Sequence, residues 1–268
     1  MIIGKETVPR TAISTSNSET IIVRGKDLSK ELIGKLSFTE YFYFLVTGRR
    51  PSDAETAVVD ATLVAIADHG LVPSVQASRM TLAAAPDAMQ GAVAAGILGC
   101  GSVILGASEN AGRMFTEIRT LVEQGQAVDA AAAAVVKAYR ESKRAIPGYG
   151  HPQHKDRDPR VQALFDVARE QGADLGYINL ADAVERAIPA VVGKQLKLNV
   201  SAAIPAVLLG VGFPLEALRG VPILARTGGL IAHLCEELSH SIGFALSYQA
   251  TREVVYTGEV PAGFKTAQ

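Results

Sequence analysis

Residues Ser37–Gly70 read SFTEYFYFLVTGRRPSDAETAVVDATLVAIADHG, and their punctuation decides the fold class. Ser37-Phe-Thr-Glu40 and Ser52-Asp-Ala-Glu55 both have the form of a capping box. In that arrangement the serine side chain accepts from a backbone N–H three residues on, and the glutamate reaches back to the serine N–H. The first helix is predicted from Phe38 to about Val46, with its stop at Gly48. The second follows Pro51 and reaches His69, with Val58, Val59, Leu63, Val64 and Ile66 forming an apolar face. The stretch ends Asp68-His69-Gly70, which puts an imidazole just before a helix-stopping glycine.

Outward from this segment helices dominate. Arg113–Gln124 has helical spacing at Met114, Phe115, Ile118, Leu121 and Val122, and an alanine-rich helix begins at Asp129. Asp158-Pro159 is a cap followed by proline at the first helical position, with Val161, Leu164, Phe165 and Ala168 on one face. Ile223–Leu238 reads as a further apolar helix. Upstream, Glu19–Gly25 (ETIIVRG) is β-branched and suits a brief strand. Strand and helix do not alternate along the chain, which disfavours a doubly wound parallel sheet. The expected class is mainly α, with a short β segment near the N-terminus.

The 268 residues suffice for one or two domains, since single cores stop growing near ~250–300 residues. With 48% hydrophobic and 20% charged residues the composition excludes wholesale disorder. Lys+Arg 26 against Asp+Glu 27 leaves a net charge of −1, so no global field draws in nucleic acid or anionic lipid. Two cysteines, Cys100 and Cys235, make neither a disulfide framework nor a metal site and point to a reducing, cytoplasmic compartment. Met1–Arg10 lacks the basic and apolar regions of a secretory signal. Ala88–Ser108 is free of charge and about the ~20 residues that span a bilayer. Gln90, five glycines and the lack of flanking Trp or Tyr favour instead a buried helix whose glycines admit close backbone approach, and a natural dimer face.

Candidates for chemistry cluster around loops. Ser142–Asp158 (SKRAIPGYGHPQHKDRD) is longer than the usual ~4–6 residues of a connection, and long loops kept in compact domains are often functional. Within it His151 follows Pro147-Gly-Tyr-Gly150, whose glycines let backbone approach a ligand. His69, at a helix end where the dipole favours imidazolium, suits an anionic ligand. His233 lies inside an apolar helix and reads equally as a core histidine; His154 and His240 have no comparable context. Arg226 stands in an apolar run and needs a carboxylate or a bound anion as partner. Arg160 follows Asp158-Pro159 beside the His151 segment. No phosphate-binding glycine loop and no metal-ligand spacing is present, so neither a nucleotide nor a metal is expected.

Pro147-Gly-Tyr-Gly-His151 followed by Asp158-Pro-Arg160 resembles the active-site signature of the citrate synthase superfamily. Leu36-Ser-Phe-Thr-Glu40 with Gly48 and Pro51, His69-Gly70, Ala225-Arg-Thr-Gly228 with Ala232-His233, and Tyr256-Thr-Gly258 extend the likeness in the same order. The chain is shorter than ordinary citrate synthases. With Asp68-His-Gly70 and Asn110-Ala-Gly-Arg-Met-Phe115 it is more similar to the citryl-CoA lyase branch, the C-terminal module of ATP-citrate lyases that also occurs as short stand-alone proteins.

The resemblance implies a citrate synthase-like fold with a large helical domain, 1–110 and 222–268, and a smaller helical domain, 111–221, in a homodimer. It implies a carbon–carbon lyase that cleaves citryl-CoA or a related 3-hydroxyacyl-CoA to acetyl-CoA and oxaloacetate or another 2-oxo acid. His151 would hydrogen-bond the oxygen at the carbon whose bond breaks. His69, Arg160 and Arg226 would hold substrate carboxylates, with Arg252 near the position where a synthase arginine enters the neighbouring subunit's site. Gly148, Tyr149, Gly150 and Lys155 would bind the coenzyme A thioester, which is a substrate; no tightly bound cofactor is implied.

The likeness departs at two places. Gly101–Ala107 (GSVILGA) has Ile104 where synthases carry a histidine on the thioester oxygen. Leu198-Asn-Val-Ser201 ends in serine where the family has the aspartate that moves the proton at the acetyl carbon. A serine hydroxyl is a poor base at neutral pH without an activating group, although it can donate a hydrogen bond. Proton transfer could then pass to Glu236, Glu237 or water. Two alternatives to the lyase stay open: condensation in the citrate or methylcitrate synthase direction, and a ligand-binding pseudoenzyme that retains the carboxylate clamp.

Overall fold

The computed structural model describes residues 9–103, 105–150 and 156–264. Among these, three short strands precede eleven α-helices, so the chain is mainly α. β1 (Ser14–Ser16), β2 (Ile21–Val23) and β3 (Lys26–Asp27) form an antiparallel sheet in that order, with Ser14 opposite Val23 and Ile22 opposite Asp27.

The chain forms two compact units, Met1–Thr62 with Ala111–Leu218 and Leu63–Asn110 with Arg219–Gln268. This division differs from the expected one, which joined the first 110 residues to the C-terminal segment. The reason lies in aromatic packing: Tyr43, from α1 (Phe38–Thr47), meets Phe213 of the middle segment edge to face, with ring centroids 5.8 Å apart.

In the first unit both capping boxes form. The Ser37 hydroxyl accepts from the Glu40 N–H and Glu40 accepts from Ser37; Ser52 and Glu55 repeat the exchange before α2 (Asp53–Ala67). Val58, Val59 and Ile66 of α2 are buried as predicted, but Val64 is exposed. The buried stripe instead passes through Thr62, whose hydroxyl donates to the Val58 carbonyl and so satisfies itself on its own helix. α6 (Val128–Glu141) packs on α8 (Gly176–Val192), and α8 and α7 (Pro159–Glu170) both pack on α9 (Val200–Gly210). From Ala202 to Leu208 α9 is apolar and wholly buried, which makes it the centre of this core.

In the second unit α3 (Pro73–Ala84) packs on α4 (Met89–Leu98), α10 (Gly220–Ser239) and α11 (Gly243–Glu253). Leu82, Ala92 and Leu234 form its buried centre. The single helix expected over Ala88–Ser108 is two. α4 stops at Leu98, and α5 (Gly106–Glu123) begins after a turn in which Leu105 takes a φ of 65° that no helix can contain. Ala92 and Gly96 are buried, Gly96 against Leu230, whereas Leu98 and Val103 are exposed. No helix among the described residues is long and apolar enough to cross a membrane.

Candidate active site

In the second unit the end of α2 is gripped by one face of α10. Arg226, only 3% exposed, donates from Nη2 to the Ile66 carbonyl at 3.3 Å. Gly229 lies against the Ala67 carbonyl, where a Cβ would overlap the oxygen. His233 Nε2 stands 2.9 Å from Asp68 Oδ1. Residues three and four apart share a helix face, so positions 226, 229 and 233 meet residues 66, 67 and 68 in succession.

Asp68 then shapes the turn that carries His69. Its Oδ2 accepts from the Gly70 N–H at 3.3 Å, and the Val72 N–H donates to the Gly70 carbonyl at 2.8 Å ahead of α3. Burial opposes ionisation of Asp68, but the His233 ring and the N–H groups of Gly70 and His69 outweigh it and hold the carboxyl below its ordinary value. A carboxylate can only accept, so Nε2 of His233 carries the hydrogen. His69 is exposed on this turn, in the same unit as Arg226.

Glu237 does not fit the proton-transfer role considered for it, and Glu236 shares the same arginine. Arg79 donates from Nη1 to Glu236 at 2.5 Å and from Nε to Glu237 at 2.6 Å. Burial pushes the Glu237 carboxyl up, but bonds from the Ser241 hydroxyl, the Ile242 N–H, Arg79 and the Gly243 N–H bring it down to about 2. A carboxylate so committed is a structural anion joining α3 to the start of α11.

In the first unit the Pro147–Gly150 segment is zipped to the strand-like run before α9. Tyr149 and Leu198 form an antiparallel bridge; the Gly150 N–H donates to the Lys197 carbonyl at 2.7 Å and the Asn199 N–H to the Gly148 carbonyl at 2.9 Å. Asn199 also donates from Nδ2 to the Gly150 carbonyl at 2.8 Å while its Oδ1 caps α9 through the Ser201 N–H at 2.9 Å. Gly148 has a φ of 84°, and a Cβ there would come within 2.7 Å of the Ala202 nitrogen, so only glycine lets the loop meet the helix start. Gly148 is therefore brought against Asn199 and Ala202, the residues around the first turn of α9 that carries Ser201.

Tyr149 requires a correction. Its side chain is buried and donates to the Ala181 carbonyl at 2.7 Å, and burial raises its phenol well above the ordinary value. It anchors the loop to α8, leaving only its backbone to face a ligand. Ser201 is half-buried in the first turn of α9, and among the described residues no imidazole or carboxylate hydrogen-bonds its hydroxyl.

Arg160 opens α7 in the grip of Asp158. This buried carboxylate accepts from the Arg160 N–H and Nε through Oδ1, each at 3.0 Å, and from Nη2 through Oδ2 at 2.7 Å. One aspartate thus caps the helix and orients the guanidinium. Arg252 stands in the last turn of α11, exposed, 5.8 Å above the Tyr248 ring. His151, His154, Lys155 and Ile104 lie outside the described residues. The partner of His233 was missed from sequence; the signal available was the spacing of Arg226, Gly229 and His233 on one helix face.

The family described as citrate synthase, C-terminal domain, matches residues 6–243. The citrate synthase of Synechocystis sp. is 28% identical over 211 residues, 76% of this chain and 51% of that protein. The citrate/2-methylcitrate synthase of Bacillus subtilis is 28% identical over 228 residues, 81% of this chain and 57% of that protein. This chain thus spans about half the length of the curated relatives it matches. Among solved structures, citryl-CoA lyase from Hydrogenobacter thermophilus superposes with a TM-score of 0.82 at 35% identity, covering 96% of this chain and 98% of that one. ATP citrate lyase from Methanothrix soehngenii, in complex with citrate and coenzyme A, shares the fold with a TM-score of 0.77 at 23% identity, over 99% of this chain and 44% of that one. Fold and matched span agree, and the chain belongs to the citrate synthase family.

Proposed function

We propose that the protein is a carbon–carbon lyase that cleaves citryl-CoA, or a related 3-hydroxyacyl-CoA, to acetyl-CoA and oxaloacetate or another 2-oxo acid. One observation carries this reading over a synthase: the match to citryl-CoA lyase runs through 98% of that chain, whereas the two synthases are matched over 51% and 57% of theirs.

Cleavage removes the hydroxyl proton, turns that carbon into a ketone and sends the bonding pair into a thioester enolate, which is then protonated at carbon. His151 hydrogen-bonds the hydroxyl oxygen and accepts its proton. Arg226, His69 and Arg160 bind the carboxylates, for which an oriented guanidinium fork is suited. The backbone of Gly148–Gly150, with Lys155, takes the coenzyme A thioester, which enters as a substrate and not as a bound cofactor. Ser201 donates a hydrogen bond, and the acetyl carbon takes its proton from water, since a serine hydroxyl is a poor acid or base at neutral pH.

The protein works in the cytoplasm as a homodimer. Ile231, Leu238, Phe244 and Tyr248, on α10 and α11, are exposed in the single chain and are of the kind a second copy covers. Arg252 on α11 reaches the site through that dimer, and a solution mass equal to the monomer would refute this part.

The direction of reaction is tested by two rates on one preparation. Oxaloacetate released from citryl-CoA is coupled to malate dehydrogenase, and free thiol is measured from acetyl-CoA plus oxaloacetate. The lyase reading expects the first and not the second; thiol release alone would make the protein a synthase. Oxaloacetate raising the melting temperature with neither rate present would make it a pseudoenzyme.

A further inference from the structure

Resting on the reading of His69 as a carboxylate-binding group, we propose that His233 is a positioning residue for His69, acting through Asp68. The Asp68 carboxylate holds the residues on both sides of His69: it is itself the residue before, and its Oδ2 accepts the N–H of Gly70, the residue after. His233 holds the other oxygen, Oδ1, at 2.9 Å and thereby fixes the orientation of the carboxylate. The same face of α10 carries Arg226, bonded to the Ile66 carbonyl. A single helix therefore presents one carboxylate-binding group and sets the place of the other.

This pair adds little to the fold. Asp68 has 51% of its side chain accessible and His233 16%, and one hydrogen bond that exchanges with water at such a site contributes little net stability. The α2–α10 contact stands on the buried Arg226 and on Gly229, and the neighbouring Leu230 and Leu234 are fully buried. What His233 adds is order in a three-residue turn, and order matters where a side chain must await a substrate. A carboxylate held by His69 keeps its charge through bond cleavage, so loss of His69 placement weakens substrate and transition state alike. That pattern raises KM and leaves kcat in place.

The test compares His233→Ala, which removes the donor, with His233→Gln, which returns an N–H near the Nε2 position. The Ala variant is expected to raise KM for citryl-CoA and Kd for oxaloacetate about tenfold with kcat within about twofold. Its melting temperature should stay within ~4 °C of wild type, and the Gln variant should recover most of the affinity. Amide hydrogen exchange of residues 68–72 provides a readout that needs no activity: faster in His233→Ala, near wild type in His233→Gln.

A wild-type protein that neither cleaves citryl-CoA nor binds oxaloacetate defeats the functional reading, and the exchange rates then decide the positioning role alone. Unchanged exchange in His233→Ala overturns the proposal. So does a fall in kcat at constant KM, or a collapse of the melting temperature that glutamine does not repair.

Discussion

Gly229 of α10 rests on the Ala67 carbonyl at the end of α2 with no space for a Cβ between them. Its neighbour Gly228, one residue earlier on the same helix, has nothing within 4 Å of where a Cβ would stand. The two glycines separate a packing requirement from a helix-propensity cost. Gly229→Ala must push α10 off α2 and is expected to destabilise by about 1–3 kcal/mol. Gly228→Ala is expected to stabilise by about 0.5–1 kcal/mol, the ordinary gain of alanine over glycine in a helix. Urea unfolding of both variants checks the pair, and equal effects would refute the contact.

The Arg79–Glu237 ion pair is buried on both sides, with each side chain about 3% exposed or less. Removing one partner strands the other charge, so Arg79→Ala is expected to cost about 3–5 kcal/mol by denaturant titration. A loss under about 1 kcal/mol would mean that water reaches the pair.

Acid should unfold the protein through these carboxylates. Glu237 and Glu55 both have folded values near 2, against an ordinary 4.5. For Glu55 the Arg49 guanidinium is the main cause, with the Tyr43 hydroxyl and the Ser52 N–H adding to it against burial. A depressed carboxyl contributes stability that is complete above its unfolded value and is lost as pH falls toward its folded one. Stability is therefore expected to drop between about pH 4.5 and pH 2, and Glu237→Gln should be less stable at pH 7 yet flatter across that interval. Parallel pH curves for wild type and variant would contradict the assignment.

Tyr149→Phe separates loop anchoring from ligand contact. The lost bond is the second one at the Ala181 carbonyl, which keeps its partner within α8, and a cost of about 0.5–1.5 kcal/mol is expected. The KM for the coenzyme A thioester should not move, because the hydroxyl points to α8. A selective rise in KM without loss of stability would return Tyr149 to the binding residues.

Local signals were legible where a side chain addresses its own neighbourhood. Both capping boxes and the Asp158 cap form as read, because each partner lies within three residues. The break between α4 and α5 was not legible: a charge-free run of small and apolar residues has no polar face to set a helical register, and Leu105 gives no sign of its positive φ. α8 escaped notice because Leu175 offers no side-chain cap at its start. Arg226, His69 and Arg160 stand out in the sequence by their own context, whereas the Asp68–His233 contact joins residues 165 positions apart. Tyr149 was misread because a motif names a residue without saying which way its side chain points.

Carbon–carbon cleavage is read most simply from a single-turnover reaction of the purified protein with citryl-CoA, quenched and analysed by mass spectrometry, beside a His151→Ala control. Acetyl-CoA and oxaloacetate in equal amounts are expected from the wild type, and intact citryl-CoA from the variant. Citryl-CoA converted to citrate and free coenzyme A, or cleaved as fast by the variant, would contradict the lyase reading.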